Sequence, residues 1–541
     1  MLVNSVSQYW ALLLLKCCKD LGCKTICIAP GSRSTPLVMA ADQLNNITIV
    51  THFDERSLGF FALGVAKKTS CPVIVITTSG SAAANLIPSA CEAFKLHVPV
   101  VYITADRPPE LHDCGANQSM HQHTLFTTCT QYQYSFQPPN NKKLQLKKYI
   151  QQLKELQKNI TSGPIHINFP FREPFIEGEQ TIDSLPQFCL SPVKKELNNN
   201  QLKQTKKRIK HYIGDVTTQQ PVLCIVANTV KKIDSDKLIN WSKKNNIPLI
   251  AECSASLPWD SVIFRQIEGL INQLEQLNQL PEVIVCIGAK WISKSCQRLL
   301  SKVKKVILIH DFNITQNWLK LNALEMFNDN LNVTQVLPQI SGDQAYYEQL
   351  NEIAKNNMKA KKITPHNLTD KYCVEKLSRL IEKYECLFIG NSLCARLVND
   401  CATMNSKKLT SITQRGVSGI DGLVSTAAGI AYGSTKPIVA LIGDLSFLYD
   451  TNGLYFIQKN NNPVLIIVLN NNGGRIFEEL KIKDLPICEQ LFVMPHNINI
   501  KMLAKTYSIK YQNVTTTQQL NTAIKKIPHQ TGSLILECFI K

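Results

Sequence analysis

Short apolar runs recur along the chain, each followed by a turn rich in Gly, Ser or Asn and then by an amphipathic or small-residue stretch. The first third carries such runs at Thr25–Ile28, Ile47–Val50, Val73–Thr77, Val98–Ile103 and Gly163–Pro170. The middle third has Val222–Val226, Pro248–Ala251, Val283–Ile287 and Val306–Ile309. The last third has Cys386–Ile389, Ile438–Ile442 and Val464–Leu469. Runs of four to six apolar residues without alternation predict strands buried on both faces. The stretches between them, including Val6–Leu21, Pro36–Gln43, Ser57–Lys67, Ala82–Lys95, Leu423–Tyr432 and Tyr449–Gln458, predict helices. Strand–helix–strand repeats of this length give parallel sheets. The predicted fold is therefore α/β, with three doubly wound parallel-sheet domains: 1–182, a central domain at 200–340, and 366–541. The first and last share a rhythm that suggests two related domains flanking the third. Residues 183 to about 200 and 341–365 are polar and are expected to be linkers.

In doubly wound sheets, ligands bind beyond the carboxyl ends of the strands. Ile438–Ile442 ends at Gly443-Asp444, and Val464–Leu469 ends at Asn470-Asn471-Asn472-Gly473-Gly474; twenty-six residues separate Asp444 from Asn471. A carboxylate, an amide oxygen and a backbone carbonyl make a hard, oxygen-only site. Such a site suits Mg²⁺ that keeps water and phosphate oxygens as further ligands. Taken alone, Asn-Gly is more often a plain turn. Other strand ends carry the turn Gly31-Ser32-Arg33-Ser34, Glu55 at a strand-to-helix junction, Arg107 after Asp106, and Asn391-Ser392 with Arg396 one turn on. A helix start with free N–H groups beside a guanidinium is an anion site, and a lone Glu there is more often a helix-start charge. The middle third shows few polar groups at strand ends apart from Lys290 and Lys294.

Composition narrows the classes. The 541 residues carry 44% hydrophobic side chains and a formal charge of +18. Lysines come as scattered pairs beside Asn or Gln, with no basic stretch interleaved with aromatics, so a nucleic-acid partner is not expected. No run reaches the length of a membrane span, and no cationic segment precedes an apolar one at the start, so neither a span nor a secretory signal is expected. The 19 cysteines are scattered without a C-x-x-C pair. Cys17, Cys18, Cys23 and Cys27 read as small core hydrophobes, which fits a reducing compartment. His112, Cys114, His121 and His123 match no zinc-finger spacing.

The segments PGSRSTPL, HFDERSLGFFALG, TTSGSAAANLIPSACEA, TADRPPEL, GNSL, QRGVSGIDGLVSTAAG, GDLSFLYD and NNNGGRIF occur in one order. Together they resemble thiamine-diphosphate enzymes built from pyrimidine-binding, central and diphosphate-binding domains. More narrowly, they resemble the 2-succinyl-5-enolpyruvyl-6-hydroxy-3-cyclohexene-1-carboxylate synthase family of menaquinone and phylloquinone biosynthesis. The resemblance runs from about Tyr9 to about Leu480 and is weaker in the central domain.

The resemblance implies thiamine diphosphate with Mg²⁺ (or Mn²⁺) as cofactors. It further implies decarboxylation of 2-oxoglutarate and conjugate addition of the resulting four-carbon carbanion to isochorismate. By motif, Glu55 hydrogen-bonds N1′ of the aminopyrimidine, in a dry surround expected from Phe53, Leu58, Phe60 and Phe61. Ile420 holds the cofactor bent. Ser392, Gly443, Asp444, Leu445, Asn471, Gly473 and Ile476 are further cofactor-binding positions, and Asp444, Asn471 and the Gly473 carbonyl bind the metal. Ser32, Arg33, Arg107, Gln118, Lys294, Ser392, Arg396 and Arg415 match substrate-binding positions, with Arg33, Arg396 and Arg415 counted as catalytic. Ile476, Phe477 and Leu480 form an apolar wall. Guanidinium groups suit two acidic substrates because they pair with carboxylates in two-pronged fashion. The resemblance also implies a homodimer or homotetramer and a cytoplasmic or plastid-stromal protein. Two positions depart from the pattern. Leu445 stands where many relatives have a second glycine. Ser295 follows Lys294 where the family commonly has arginine, so one cation is missing or Arg298 replaces it. A related 2-oxo-acid decarboxylase or acetohydroxyacid synthase would share Glu55 and Asp444 without the strand-end arginines. A non-enzymatic protein on this scaffold would have lost them.

Overall fold

Each of the apolar runs named above is a strand, and most are buried along their whole length. The computed structural model describes residues 2–161, 163–178, 180–181, 199–214, 220–312, 314–327, 331–359, 367–527 and 531–540. The chain forms two units: the first takes residues 1–194, 416–434 and 449–461, the second 195–415, 435–448 and 462–541.

The first unit is built on a six-stranded sheet in the order Thr48–Thr51, Thr25–Ile28, Val73–Thr77, Val100–Asp106, Ile165–Pro170, Tyr132–Ser135. Every neighbouring pair is parallel. Strand order reverses between Thr25–Ile28 and Val73–Thr77, so the ligand crevice of this sheet lies between the turns that follow them. Gly31 in the first turn approaches Thr78 in the second so closely that a Cβ on it would lie 2.3 Å from the Thr78 Cβ. The helix Glu55–Thr69 packs against Leu423–Tyr432, and Phe61 stacks on Phe456 with centroids 4.2 Å apart. The expected helix Ala82–Lys95 is two helices, Ser81–Asn85 and Ile87–Leu96. Pro88 lacks the N–H that a continuous helix needs, and its ring would strike the carbonyl one turn earlier.

The second unit holds two sheets. The central one is all parallel, in the order Ile263–Phe264, Leu249–Ala251, Val222–Val226, Val283–Ile287, Lys305–His310, Ala323–Phe327. Its order reverses between Val222–Val226 and Val283–Ile287, but there a backbone bridge joins Asn228 to Ala289. A Cβ on Gly288 would lie 2.5 Å from the Asn228 carbonyl oxygen. The crevice of the central sheet is thus closed by its own backbone. The other sheet runs Pro258–Trp259, Ser406–Thr413, Cys386–Ile389, Ile438–Gly443, Val464–Asn470, Leu534–Phe539, Lys510–Val514, parallel except for the first strand.

Three expectations need correction. Residues 344–359 of the supposed second linker form a helix, Gln344–Lys359, whose Tyr346, Leu350 and Ala354 join the core under the central sheet. Their four-residue spacing is a helical stripe hidden in polar composition. Residues 360–365, and 183–198 of the first linker, lie outside the described residues. Tyr449–Gln458 is not one helix: Asp444–Tyr449 and Leu454–Lys459 flank a tight turn at Thr451–Gly453. The strand ends of the central sheet are also more polar than the sequence suggested, since Asn228, Glu252, His310 and Asp311 are all buried there.

Candidate active site

In the first unit, Glu55 opens the helix Glu55–Thr69, and the residues before it fix that start. Asp54 caps the helix, its Oδ1 accepting the Ser57 N–H at 3.1 Å, and its Oδ2 accepts from the Asn452 amide at 2.7 Å. His52 Nδ1 accepts the Asp54 N–H at 2.9 Å, so the ring hydrogen sits on Nε2 and is donated to the Asn452 carbonyl at 3.2 Å. Burial holds His52 below the ordinary imidazole range, consistent with this neutral form. Asp450 is fully buried and accepts the Ser425 N–H at 2.7 Å and hydroxyls from Ser425 and Ser57 at 3.0 and 3.3 Å. Burial pushes its carboxyl up to about 6. Glu55 itself is half-buried and accepts from the Asn85 amide at 3.3 Å. Of its expected dry surround, Leu58, Phe60 and Phe61 are buried in the helix packing, whereas Phe53 is 59% exposed.

Ser32 and Arg33 lie in the turn after Thr25–Ile28, in a single 3₁₀ turn Ser32–Ser34. Arg33 is buried; its Nη1 donates to the Phe171 carbonyl at 2.9 Å and its Nη2 to Glu173 at 2.7 Å. Arg107 follows Val100–Asp106, and its Nε donates to the Asn117 carbonyl at 3.0 Å, next to Gln118. Gln118 reaches back to the Ser79 carbonyl at 3.4 Å across the sheet's crevice. Arg33, Arg107 and Gln118 are therefore brought together. Ile420 lies in the loop 416–422, whose start is held by buried Glu92, accepting the Gly416 and Val417 N–H groups at 2.7 Å each.

In the second unit, four adjacent strands end in turn at Gln414-Arg415, Gly390-Asn391-Ser392, Gly443-Asp444 and Asn470–Gly474. The order reverses between Cys386–Ile389 and Ile438–Gly443, so this is again the crevice position. The Asn391 amide donates to the Gln414 carbonyl at 2.7 Å, and its oxygen accepts from Arg415 at 3.3 Å. Arg396 Nη1 donates to the Ser392 carbonyl at 2.9 Å. Ser392, Arg396 and Arg415 form one cluster. Asp444 is 3% exposed; its Oδ1 accepts the Leu445 N–H at 2.7 Å, and its Oδ2 accepts the Gly473 N–H at 2.9 Å and His496 Nε2–H at 3.2 Å. The Ile498 N–H donates to His496 Nδ1 at 3.0 Å, which places the ring hydrogen on Nε2. Gly473 has φ +136°, and a Cβ on it would lie 2.4 Å from the Val493 carbonyl oxygen. No side chain but glycine's fits there. A Cβ on Gly443, by contrast, meets nothing within 4 Å. Open space beside a carboxylate, with an Asn and a glycine turn on the next strand, fits a metal-bound diphosphate. Ile476 and Phe477 are partly buried and Leu480 is 41% exposed, with Phe477 edge-on to Phe492 at 5.5 Å.

Lys294 is exposed at the start of the helix Lys294–Lys302. Buried Glu252 holds that turn, accepting the Ile292 N–H at 2.9 Å and the Ser293 N–H at 2.8 Å. Burial pushes its carboxyl up to about 7, offset in part by those N–H groups and by the charge of Arg415. Ser295 turns inward to Asn272 at 3.3 Å. Arg298 is committed to Glu275, 2.8 Å away, and does not stand in as a free cation. Asp450, Glu92, Glu252 and His496 were missed from sequence, since each acts on a segment far away in the chain.

Residues 10–131 match the thiamine pyrophosphate enzyme N-terminal TPP binding domain, and residues 397–538 the C-terminal TPP binding domain. The chain is similar to 2-succinyl-5-enolpyruvyl-6-hydroxy-3-cyclohexene-1-carboxylate synthases of three bacteria. It is 33% identical to that of Haemophilus influenzae and 33% to that of Pasteurella multocida, each over 99% of this chain and 95% of the relative. It is 30% identical to that of Shewanella halifaxensis, over 98% and 94%. No described helix is long and apolar enough to cross a membrane. With thiamine pyrophosphate-binding domains at both ends and relatives matched over nearly their whole length, the chain belongs to the 2-succinyl-5-enolpyruvyl-6-hydroxy-3-cyclohexene-1-carboxylate synthase family.

Proposed function

We propose that this protein couples 2-oxoglutarate to isochorismate. The 2-oxo acid loses CO₂, and its four-carbon remainder adds to the ring alkene of isochorismate in menaquinone or phylloquinone biosynthesis. The observation that carries this reading is the row of four adjacent strand ends in the second unit. That row sets the Ser392, Arg396 and Arg415 cluster next to Gly443-Asp444 in one crevice. A carboxylate-binding cluster beside a diphosphate-binding turn is what a thiamine-dependent enzyme acting on acidic substrates requires.

Thiamine diphosphate, when bound, supplies the acidic carbon and the electron sink for decarboxylating a 2-oxo acid. The chain's own residues do the rest. Asp444, the Asn471 side-chain oxygen and the Gly473 carbonyl hold Mg²⁺ or Mn²⁺, with Gly443, Leu445 and Ile476 lining the diphosphate. Glu55 would hold a proton at N1′ of the aminopyrimidine, and Ile420 would pack against the bound cofactor. Ser32, Arg33, Arg107 and Gln118 in the first unit, and Lys294, Ser392, Arg396 and Arg415 in the second, would orient substrate carboxylates. Fixing both substrates in register replaces an encounter in solution by a held geometry. Phe477 and Leu480 shield the crevice from water. Three domains, with the helix Gln344–Lys359 counted in the central one, a homodimer or homotetramer with the cofactor between subunits, and a cytoplasmic or plastid-stromal location complete the reading.

The test follows isochorismate by absorbance with 2-oxoglutarate, thiamine diphosphate and Mg²⁺, omitting each in turn. Consumption that needs all three is expected. Because Arg298 is tied to Glu275, the central turn offers Lys294 with no second free cation from Ser295 or Arg298. Decarboxylation without isochorismate loss would favour a simple 2-oxo-acid decarboxylase instead.

A further inference from the structure

Glu173 stands between two of the arginines assigned to substrate. One of its oxygens lies 2.7 Å from Arg33 Nη2 and 4.0 Å from Arg107 Nη1. The side chains of the two arginines are 3% and 16% exposed, that of Glu173 66%. Neither guanidinium needs Glu173 to hold its orientation. Arg33 is fixed by the Phe171 carbonyl at 2.9 Å and lies over the Phe175 ring at 4.9 Å, and Arg107 is fixed by the Asn117 carbonyl at 3.0 Å. Arg33 Nε is buried and has no hydrogen-bond partner among the described residues. Two cations are thus pre-oriented in a buried place, with one donor still unused, and the carboxylate between them is the most exposed member of the group.

We propose that Glu173 is an internal stand-in for a substrate carboxylate, leaving the Arg33–Arg107 pair for solvent when the acidic substrate arrives. The inference rests on the reading that these two arginines bind substrate. An exposed carboxylate swings out at low cost, because an ion pair with one partner in solvent is weak. While it stays, buried Arg33 and its partly buried neighbour Arg107 keep a counter-charge, which avoids leaving Arg33 desolvated and unpaired. Any incoming carboxylate must compete with it. The residue therefore sets how much substrate the site needs and screens out weaker anions.

The experiment compares Glu173→Gln with the wild type, measuring KM for 2-oxoglutarate and for isochorismate separately, and inhibition by succinate. A stand-in predicts that KM for one substrate falls by about two- to five-fold, the range an exposed ion pair supports. The inhibition constant of succinate falls with it if the carboxylate seat is the one shared. Asp20→Asn serves as the control for loss of one surface charge, since Asp20 pairs with Lys16 at 2.8 Å on the helix Val6–Asp20; its KM values stay at wild type. A KM that rises in Glu173→Gln makes the residue a support for the arginines and overturns the proposal, as does no change in either KM. Arg33→Lys separates the two levels. If it raises KM while Glu173→Gln fails to lower it, only this inference falls. If Arg33→Lys leaves both KM values unchanged, the substrate reading falls as well.

Discussion

Gly64 and Gly429 meet where the helices Glu55–Thr69 and Leu423–Tyr432 cross. A Cβ on Gly64 would lie 2.2 Å from the Thr426 carbonyl oxygen, and a Cβ on Gly429 would lie 2.0 Å from the Phe61 carbonyl oxygen. The obstacles are backbone atoms, which cannot rotate away. This contact anchors the helix that begins at Glu55 against the helix that follows the Ile420 loop.

Gly64→Ala and Gly429→Ala are each expected to destabilise the protein. Alanine gains about 1 kcal/mol over glycine in a helix, while overpacking against a fixed neighbour costs about 1–3 kcal/mol or more, so the clash wins. Thermal unfolding reads this as a lowered Tm. An unchanged or raised Tm would show that the helices can separate freely.

Asp444→Ala and Gly473→Ala strike the proposed metal turn from two sides. The first removes the carboxylate, and the second forces a Cβ to within 2.4 Å of the Val493 carbonyl oxygen at φ +136°. Calorimetric titration with thiamine diphosphate should show that Mg²⁺ strengthens binding to the wild type and no longer does so in either variant. Wild-type affinity in Asp444→Ala would remove Asp444 from the metal site.

Glu252 makes stability depend on pH. Its folded carboxyl is raised from 4.5 to about 7 by burial, despite the Ile292 and Ser293 N–H groups and the charge of Arg415. Arg265, which donates to its backbone carbonyl at 2.6 Å, and the buried thiols Cys253 and Cys296 complete the titratable groups around it. A raised acid favours the folded state in its protonated form. That contribution is fully present below pH 4.5 and is lost as pH rises through 7, on the order of 3 kcal/mol. Glu252→Gln cannot ionise, so the stability gap between wild type and variant should narrow or reverse between pH 5 and 8 in denaturant unfolding. A gap independent of pH would show that Glu252 keeps its charge throughout.

Most of the strands that were easy to read share one property: they are buried on both faces, so their sequences are unbroken apolar runs; Thr48–Thr51, at the edge of the first sheet, is the exposed exception. Ser406–Thr413 was missed because it alternates, with Leu409, Ser411 and Thr413 inward and Lys407 and Lys408 in solvent. Tyr132–Ser135, at the edge of the first sheet, is mostly exposed and carries no apolar run either. The strand-end residues Arg33, Arg107, Ser392, Arg396 and Asp444 were legible because topology alone sends strand ends to ligand crevices, whereas Arg415, after the missed strand Ser406–Thr413, was marked only by the family resemblance. What holds them was not legible. Glu92 reaches Gly416 across 324 positions, and Asp450 reaches Ser57 across 393. Glu173 met Arg33 across 140 positions. Such pairings follow from the assembled sheets and leave no local spacing to detect.

Glu55 is the residue proposed to handle a proton on the cofactor's aminopyrimidine. Glu55→Gln keeps an acceptor for the Asn85 amide and leaves the Asp54 cap untouched, so the fold should be retained. The decisive measurement is turnover of that variant, with thiamine diphosphate binding checked in the same preparation. A loss of about 10²- to 10⁴-fold with the cofactor still bound is predicted, the usual share of a positioned acid or base. Near-normal turnover would contradict the assignment.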